Sequence, residues 1–300
     1  MKATAMHLLL WLTHHVPPAA AKTISRAMAW MLWRFASESA RTTCVNLGLC
    51  FPDLSEQELQ NLTRQSLTHM CLLFFEFAYL AFADPDELLA TVTTIDGKEL
   101  LDSAYAQGHG VVLLVPHFGN WELLCSFLGA HYTFAALYDP PKIASLEGVI
   151  RQVRERFNGQ MFPISTGGMR SLMRVLKDGK LVAVLPDQVP DRDAGVYADF
   201  FGNPALTMTL THRLVDKTGA IPLMGSVQRV FADGALTYHI RFEPLPEVAA
   251  DAETPAAGIA GSVNNAIEAV VCRAPEQYQW EYKRFKRPPQ LGKGNVYRRQ

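Results

Sequence analysis

Short apolar runs alternate with helical patterns over the second two thirds of the chain. Residues 111–115 are five consecutive Val or Leu residues and predict a buried parallel strand. The same pattern predicts strands at residues 134–138, 161–164, 181–185 and 221–227. Helical patterns separate or follow them at residues 99–107, 121–130, 145–158, 168–177, 209–218 and 255–272. This order predicts an α/β fold with a mostly parallel mixed sheet flanked by helices. Within residues 230–242, the Asp233-Gly234 pair predicts the turn of a hairpin.

Before residue 95 the pattern is helical. Residues 40–49 and 56–82 predict two helices, and Ser55 with Glu58 forms a capping box at the start of the second. The second half of that helix is apolar nearly all round, which implies burial or contact with lipid. We therefore expect a helical, membrane-associated N-terminal region at residues 1–94 and an α/β core at residues 95–300.

The first 36 residues are apolar but interrupted. The hydrophobic run that starts at Met6 ends before Pro17-Pro18, and the next segment places tryptophans beside Arg26 and Arg34. Neither run reaches the ~18–20 apolar residues that a membrane span needs. Tryptophan flanked by arginine is typical of a segment that lies in the membrane surface, and core packing of these helices is the alternative.

Composition narrows the choice of partners and chemistry. The chain has 49% hydrophobic and 19% charged residues with a net charge of −1, so the whole molecule does not attract polyanions and we expect no nucleic-acid partner. Seven cations and no acid follow Tyr282, which suits a surface near anionic lipid headgroups. The five cysteines form no Cys-x-x-Cys pair and the histidines show no ligand spacing, so we expect no metal and no cofactor. Common hydrolase, kinase, dehydrogenase and metalloprotease motifs are absent from the sequence.

The candidate chemistry follows the first buried strand. His117 comes directly after Pro116, and Gly119-Asn120 makes the turn into a helix that Asn120 is placed to cap. Ligands bind at the carboxyl ends of strands in open α/β sheets. Glu122, in the first helical turn, can orient the His117 imidazole as a general base for a substrate hydroxyl. A turn histidine beside a dipole-complementing glutamate is the structural alternative.

Further polar groups follow other strand ends. Asp187 and Gln188 come after residues 181–185 and should lie on the same rim as His117. We interpret them, with Asn120, as substrate-binding residues, and closure of the βα turn is the alternative. The helix at 145–158 carries Arg151, Arg154 and Arg156, any of which could bind a phosphate or stabilise an oxyanion.

Five blocks of the sequence carry a resemblance to a known family. They are residues 46–55, 117–122, 187–188, 200–205, and 275–280 with 283–286. In this order they resemble the lipid A late acyltransferases, the bacterial lauroyl and myristoyl transferases of lipopolysaccharide synthesis. The resemblance implies a glycerolipid acyltransferase-like fold and an O-acyltransferase on the cytoplasmic face of the inner membrane. Its implied reaction moves a fatty acyl group from acyl carrier protein to a hydroxyl of a lipid A precursor, with His117 and Glu122 catalytic and an arginine, preferably Arg154, assisting.

Other functions remain open at this stage. The acceptor could be a lysophospholipid or another glycolipid, because the same His–Glu dyad serves any hydroxyl. A thioesterase would use water in place of the acceptor, and a catalytically silent membrane protein would keep the fold without turnover. The acyl-chain length does not follow from the sequence.

Overall fold

The structure is a computed structural model that describes residues 2–138, 156–249, 252–289 and 296–297, with only the backbone of residues 2–6. A seven-stranded sheet forms its centre. The strands are β1 (Val92–Asp96), β2 (Val111–Leu114), β3 (Phe134–Tyr138), β4 (Gln160–Pro163), β5 (Leu181–Val184), β8 (Ile221–Ala232) and β9 (Ala235–Pro244), in the order β1-β9-β8-β2-β5-β3-β4. The β8–β9 pair is antiparallel and the other neighbours are parallel. Strands β6 (Gly195–Phe200) and β7 (Asn203–Met208) form a separate antiparallel hairpin.

Helices cover both faces of the sheet. They are α1 (Lys2–His14), α2 (Pro18–Arg34), α3 (Glu38–Cys50), α4 (Glu56–Phe82), α5 (Pro85–Ala90), α6 (Lys98–Ala106), α7 (Trp121–His131), α8 (Thr166–Lys177), α9 (Leu210–Thr218) and α10 (Pro255–Arg273). Alternate residues of β2 enter the two cores, because side chains along a strand point to opposite faces. Val112 and Leu114 pack with α8, α9 and α10, whereas Val111 and Leu113 pack with α4, α6 and α7. The full burial of β2 explains its unbroken apolar run.

Most predicted elements are confirmed. Helix α4 has the predicted bounds and the predicted Ser55–Glu58 capping box, and β8 and β9 form the predicted hairpin. Three features were not predicted: helix α5, strand β1, which pairs with β9 far along the chain, and the β6–β7 hairpin. Strand β1 spans the predicted boundary at residue 94, and the division into two units stays a prediction. The predicted helix at 145–158 lies largely outside the described residues.

The N-terminal helices are short. Among the described residues, no helix combines the length and apolar character needed to cross a bilayer. Helices α1 and α2 have 13 and 17 residues and meet at the Pro17-Pro18 break. Both pack against α4, and several of their large apolar side chains remain exposed to solvent, among them Leu8, Leu12, Trp30 and Phe35.

Candidate active site

The centre of the candidate site is a contact between two neighbouring strand ends. Strands β2 and β5 are parallel neighbours in register, with Leu114 opposite Val184. His117 and Asp187 each follow three residues later and meet at the sheet rim, as the sequence predicted. The Asp187 Oδ1 atom lies 2.7 Å from His117 Nδ1, and the His117 backbone N–H donates to Asp187 Oδ2 at 2.8 Å. One carboxylate thus holds both the ring and the backbone of His117.

The protonation of this pair follows from its surroundings. Burial raises the pKa of the Asp187 carboxyl, but the His117 charge and hydrogen bonds from its ring and backbone lower that pKa further, so the net pKa lies below its usual value. An ionised carboxylate only accepts hydrogen bonds, and so Nδ1 of His117 must carry its proton. The other ring nitrogen, Nε2, is then the acceptor and the basic atom.

Two neighbours define the environment of Nε2. The Gln188 amide nitrogen lies 3.3 Å from His117 Nε2, an N–H donor facing the nitrogen that must accept. The Trp121 ring contacts the imidazole edge-on, with 5.0 Å between ring centroids. Burial raises the pKa of the Tyr278 hydroxyl well above its usual value, and the charge of Asp187 and a hydrogen bond to it add to the rise. The imidazole is therefore in contact with Asp187, Gln188 and Trp121, and its basic nitrogen is the one that Asp187 does not contact.

A largely apolar cavity of about 310 Å³ opens beside the imidazole. Its polar lining includes His117, Glu122 and Gln188. Its apolar wall comes from the ends of four parallel strands and the helix after β2, and includes Val115, Leu128, Ala136, Met161, Ile164 and Val184. A deep apolar chamber with a few convergent polar groups is the usual form of a small-molecule site. This one suits a ligand with a hydrocarbon chain and a reactive group at one end.

The C-terminal segment braces the His117 turn. Gly119 N–H donates to the Gln277 carbonyl at 2.9 Å, and Gln279 N–H donates to the His117 carbonyl at 3.0 Å. Gly119 has a φ of +57°, and a Cβ there would lie 1.6 Å from the Val227 carbonyl oxygen. Only glycine fits this contact without displacing the backbone. The turn is therefore fixed by backbone from β8 and from the 275–280 block.

A buried ion pair extends this bracing to α4. The Arg229 guanidinium on β8 donates from Nε and from one terminal nitrogen to the two Glu76 carboxylate oxygens, each at 2.7 Å. The Tyr238 hydroxyl also donates to Glu76, at 2.9 Å. The Gln277 side chain bonds both the backbone N–H and the carbonyl of Arg229, at 2.8 and 3.1 Å. Helix α4, strand β8 and the 275–280 block are thus joined by one polar network behind the His117 turn.

Some of the predicted site residues line the cavity, and others are buried beside it. His117, Glu122 and Gln188 line one cavity, as expected for residues that act together. Asp187 is buried with both oxygens bonded to His117, and its role in substrate binding stays a prediction. It also takes the Nδ1 position for which the sequence suggested Glu122, and the catalytic role of Glu122 stays a prediction. Asn120 is the predicted N-cap, accepting from Leu123 N–H at 3.2 Å. Its role in substrate binding stays a prediction.

Of the three arginines predicted to assist, the structure describes one. Arg151 and Arg154 lie outside the described residues. Arg156 is described, and its guanidinium donates to the Leu80 and Ala83 carbonyls at the C-terminal end of α4. Its side chain therefore fastens the chain to α4, where it satisfies carbonyls that a helix end leaves without partners.

Several residues of the site have no role that the sequence predicts. Glu76, Arg229, Gln277 and Glu281 come from distant segments, so no local spacing connects them. Burial raises the pKa of Glu281, although hydrogen bonds and the charges of His117 and Arg229 oppose the rise. A signal was available for Glu76, an acid within the apolar half of α4, because a buried carboxylate needs a partner. Within the described residues, no cluster of three or more His, Cys, Asp or Glu is arranged to hold a metal ion.

Comparison with known proteins identifies the family of this chain. Residues 3–287 match the family described as bacterial lipid A biosynthesis acyltransferase. The chain belongs to this family. The lauroyltransferase of lipid A biosynthesis from Escherichia coli K12 is 29% identical over 94% of this chain and 90% of its own length. The palmitoleoyltransferase of the same organism is 28% identical over 96% and 92% of the two chains, and its myristoyltransferase is 26% identical over 90% and 82%.

The match confirms the resemblance inferred from the five sequence blocks. Because it extends over nearly the whole acyltransferase, it includes both the N-terminal helices and the 275–280 block that braces His117. Acyl transfer in lipid A biosynthesis is the reaction class of the family.

Proposed function

We propose that this acyltransferase moves a fatty acyl group from acyl carrier protein to a hydroxyl of a lipid A precursor, at the cytoplasmic face of the inner membrane. The observation that carries the proposal is that His117, whose Nδ1 is held by Asp187, lines a largely apolar cavity. The curated relatives are named for the transfer of lauroyl, palmitoleoyl and myristoyl groups. A cavity of about 310 Å³ with apolar walls suits such chains.

The proposed reaction needs no covalent enzyme intermediate. Nε2 of His117 takes the proton of the acceptor hydroxyl as the hydroxyl oxygen attacks the thioester carbonyl. A new oxygen–carbon bond forms, the carbon–sulfur bond breaks, and the carrier leaves as a thiolate. The His117 imidazolium then returns its proton to that sulfur. The ester product and the free carrier thiol balance the atoms and charges, and His117 ends as it began.

Two carboxylates have separate parts in this proposal. Asp187 is a positioning residue, because its bond to Nδ1 fixes the tautomer and turns Nε2 towards the cavity. Glu122 lines the cavity with His117, and we assign its charge to stabilising the imidazolium that forms during proton transfer. Arg154, with Arg151 as the alternative, is proposed to assist with the charge that develops on the thioester oxygen.

Carrier docking is proposed at α8. This helix starts directly beyond the cavity residue Ile164, and its buried side carries Leu172 and Leu176. Arg170, Arg174 and Lys177 are exposed on the other side. A cationic stripe next to the cavity mouth complements the acidic surface of acyl carrier protein, and such pairing raises the rate of encounter.

Membrane contact is proposed at α1 and α2. Exposed Leu8, Leu12, Met31 and Phe35 form apolar surface on these helices. Soluble proteins seldom leave large side chains of this kind together in water. A helical pair lying in the lipid surface places the enzyme beside a lipid acceptor without a span.

The test measures transfer from acyl carrier protein to purified lipid A precursor. We expect His117→Ala to lower kcat by about 10²–10⁴-fold, the usual contribution of a general base. His109→Ala is the matched control, because His109 is an exposed histidine at the opposite end of β2. Near-normal transfer by a folded His117→Ala enzyme refutes the proposal. Release of free fatty acid at the same rate without acceptor indicates a thioesterase instead.

A further inference from the structure

A second concave site lies away from the active-site cavity, between α2 and α4. It has a volume of about 300 Å³. Its lining comes from Arg26, Ala29 and Trp30 on α2 and from Asn61, Arg64, Gln65 and Thr68 on α4. No residue of this groove belongs to the His117 site. Apart from Ala29, every lining side chain carries a hydrogen-bonding group, and none is acidic.

The two arginines give the groove its charge. Neither Arg26 nor Arg64 forms an ion pair within the part of the chain that the structure describes. The Arg64 guanidinium donates to the Asn61 side-chain oxygen and stacks over the Trp33 ring, 5.1 Å from its centroid. This contact holds the planar donor group of Arg64 in place before any ligand arrives. Arg26 approaches the groove from the opposite helix and is exposed.

The groove continues into the exposed apolar surface of α2. Trp30 both lines the groove and is 53% exposed. Ile24, Met31 and Phe35 extend the apolar surface along the same helix. The cationic, hydrogen-bonding groove therefore lies directly beside the exposed apolar surface of α2. A ligand that matches both must carry an anion next to hydrocarbon.

We propose that this groove binds the phosphodiester of an anionic glycerophospholipid while the lipid's acyl chains lie against the exposed face of α2. Arginine donates paired hydrogen bonds to phosphate oxygens, and the Gln65 amide can add a donor. Trp30 is placed at the boundary between headgroup and hydrocarbon, where tryptophan is favoured. The proposal relies on the proposed function only for the membrane location. It adds a lipid site that is separate from the acceptor and the acyl donor.

Vesicle binding of the full chain tests the proposal. Phosphatidylcholine vesicles with and without phosphatidylglycerol are sedimented with the wild-type enzyme and with the Arg26→Gln/Arg64→Gln variant. We expect the variant to lose about tenfold or more of its affinity for the phosphatidylglycerol vesicles, with little change for phosphatidylcholine alone. The control is Arg213→Gln/Lys217→Gln, which removes the same charge from exposed positions on α9.

Each remaining outcome has a defined meaning. Wild-type binding by the groove variant, or an equal loss in the α9 control, overturns the proposal. Inorganic phosphate that displaces the wild-type enzyme from phosphatidylglycerol vesicles at low concentration identifies a free-anion site, which also overturns it. Arg26→Glu alone is the fallback if the double variant does not fold, because Arg26 is exposed. His117→Ala should bind vesicles normally, so failure of the lipid site and failure of the catalytic proposal are distinguishable.

Discussion

The His117 turn and the α1–α2 pair differ in how their polar and apolar groups are shielded from water. At the turn, the backbone N–H groups of His117, Gly119 and Asn120 each have a partner within the protein. On α1 and α2, large apolar side chains face solvent, and Phe35 is 75% exposed. The first region is stable because it is complete by itself. The second leaves large apolar side chains without partners among the described residues.

We expect this difference to separate substitutions that affect catalysis or folding from substitutions that affect membrane binding. Substitutions at the turn should reduce catalysis or folding, because each removes a partner from a buried group. Substitutions on the exposed face of α2 should leave the folded protein almost unchanged and act on its attachment to lipid. The ion pair between Glu76 on α4 and Arg229 on β8 lies between the two regions and joins them.

The largest effect is expected for Asp187→Asn. An asparagine can keep its oxygen on the His117 backbone N–H, but it then turns an NH₂ group towards Nδ1. Nδ1 must accept that bond, so Nε2 carries the proton and cannot act as a base. We expect kcat to fall about 10²–10⁴-fold while the thermal midpoint changes little.

The control for this prediction is Asp191→Asn, four residues away. Asp191 is exposed and pairs with Arg287 at 2.9 Å, and exposed pairs contribute about 0–1 kcal/mol. Its transfer rate should stay within about twofold of the wild-type rate, as for most surface substitutions. If Asp187→Asn and Asp191→Asn had similar rates, Asp187 would not set the His117 tautomer.

Next in size is the loss of the pair that joins the two regions. Glu76→Gln leaves the Arg229 charge buried without a carboxylate, and breaking such a pair costs about 3–5 kcal/mol of unfolding free energy. Glu243→Gln is the control, because Glu243 pairs with Arg273 at the surface and its loss should cost no more than about 1 kcal/mol. Urea unfolding of both variants measures the difference. Equal costs would show that the buried network does not hold α4 to the sheet.

These two predictions also separate what the sequence could and could not show. That His117 and Asp187 share one rim was predictable, because the two apolar runs that predict parallel strands each end two residues before them. Which atom of His117 the carboxylate holds was not, since it depends on β2 and β5 being in register. Glu76 and Arg229 are 153 residues apart, and no local pattern relates them.

The missed strands have similar causes. The β6–β7 turn places Phe201 and Gly202 at φ values of +49° and +67°, yet Phe-Gly is not a pair that marks hairpins as Asn-Gly or Asp-Gly does. Strand β1 has a β-branched run, Val92 to Ile95, but its partner β9 lies about 140 residues later. The exposed face of α2, in contrast, was visible in the sequence because its tryptophans and arginines are close neighbours.

A smaller effect is expected in the pH dependence of stability. Burial lowers the pKa of His69 to about 3, with the charges of Arg229 and Lys22 adding to the change. In the unfolded chain the pKa of His69 is near the ordinary value of about 6.5. Between about pH 3 and 6.5, the unfolded chain therefore binds a proton at His69 that the folded protein does not bind. Stability therefore falls as the pH drops from about 6.5 towards 3, by up to about 1.4 kcal/mol per pH unit.

His69→Gln removes this titration while keeping an acceptor for the Arg229 guanidinium, which lies 3.5 Å from the His69 ring. We expect urea unfolding of the variant to show a flatter dependence on pH between about 4 and 6. His109→Gln, at an exposed histidine, should retain the wild-type slope. An unchanged slope in His69→Gln would mean that its ring accepts a proton in the folded protein.

The smallest effect on the folded protein is expected for Phe35→Ser. Its ring is 75% exposed, so the free energy of unfolding should change by less than about 0.5 kcal/mol. Burying a phenylalanine side chain in an apolar environment contributes about 1.5–3 kcal/mol, and affinity for phosphatidylcholine vesicles should fall about tenfold if Phe35 enters the lipid. Val248→Ser is the control, because Val248 is 48% exposed on the loop after β9 and does not belong to α1 or α2. If both variants bound vesicles as the wild type does, the exposed face of α2 would not be the membrane surface, and the contrast with the self-contained His117 turn would need another partner to explain it.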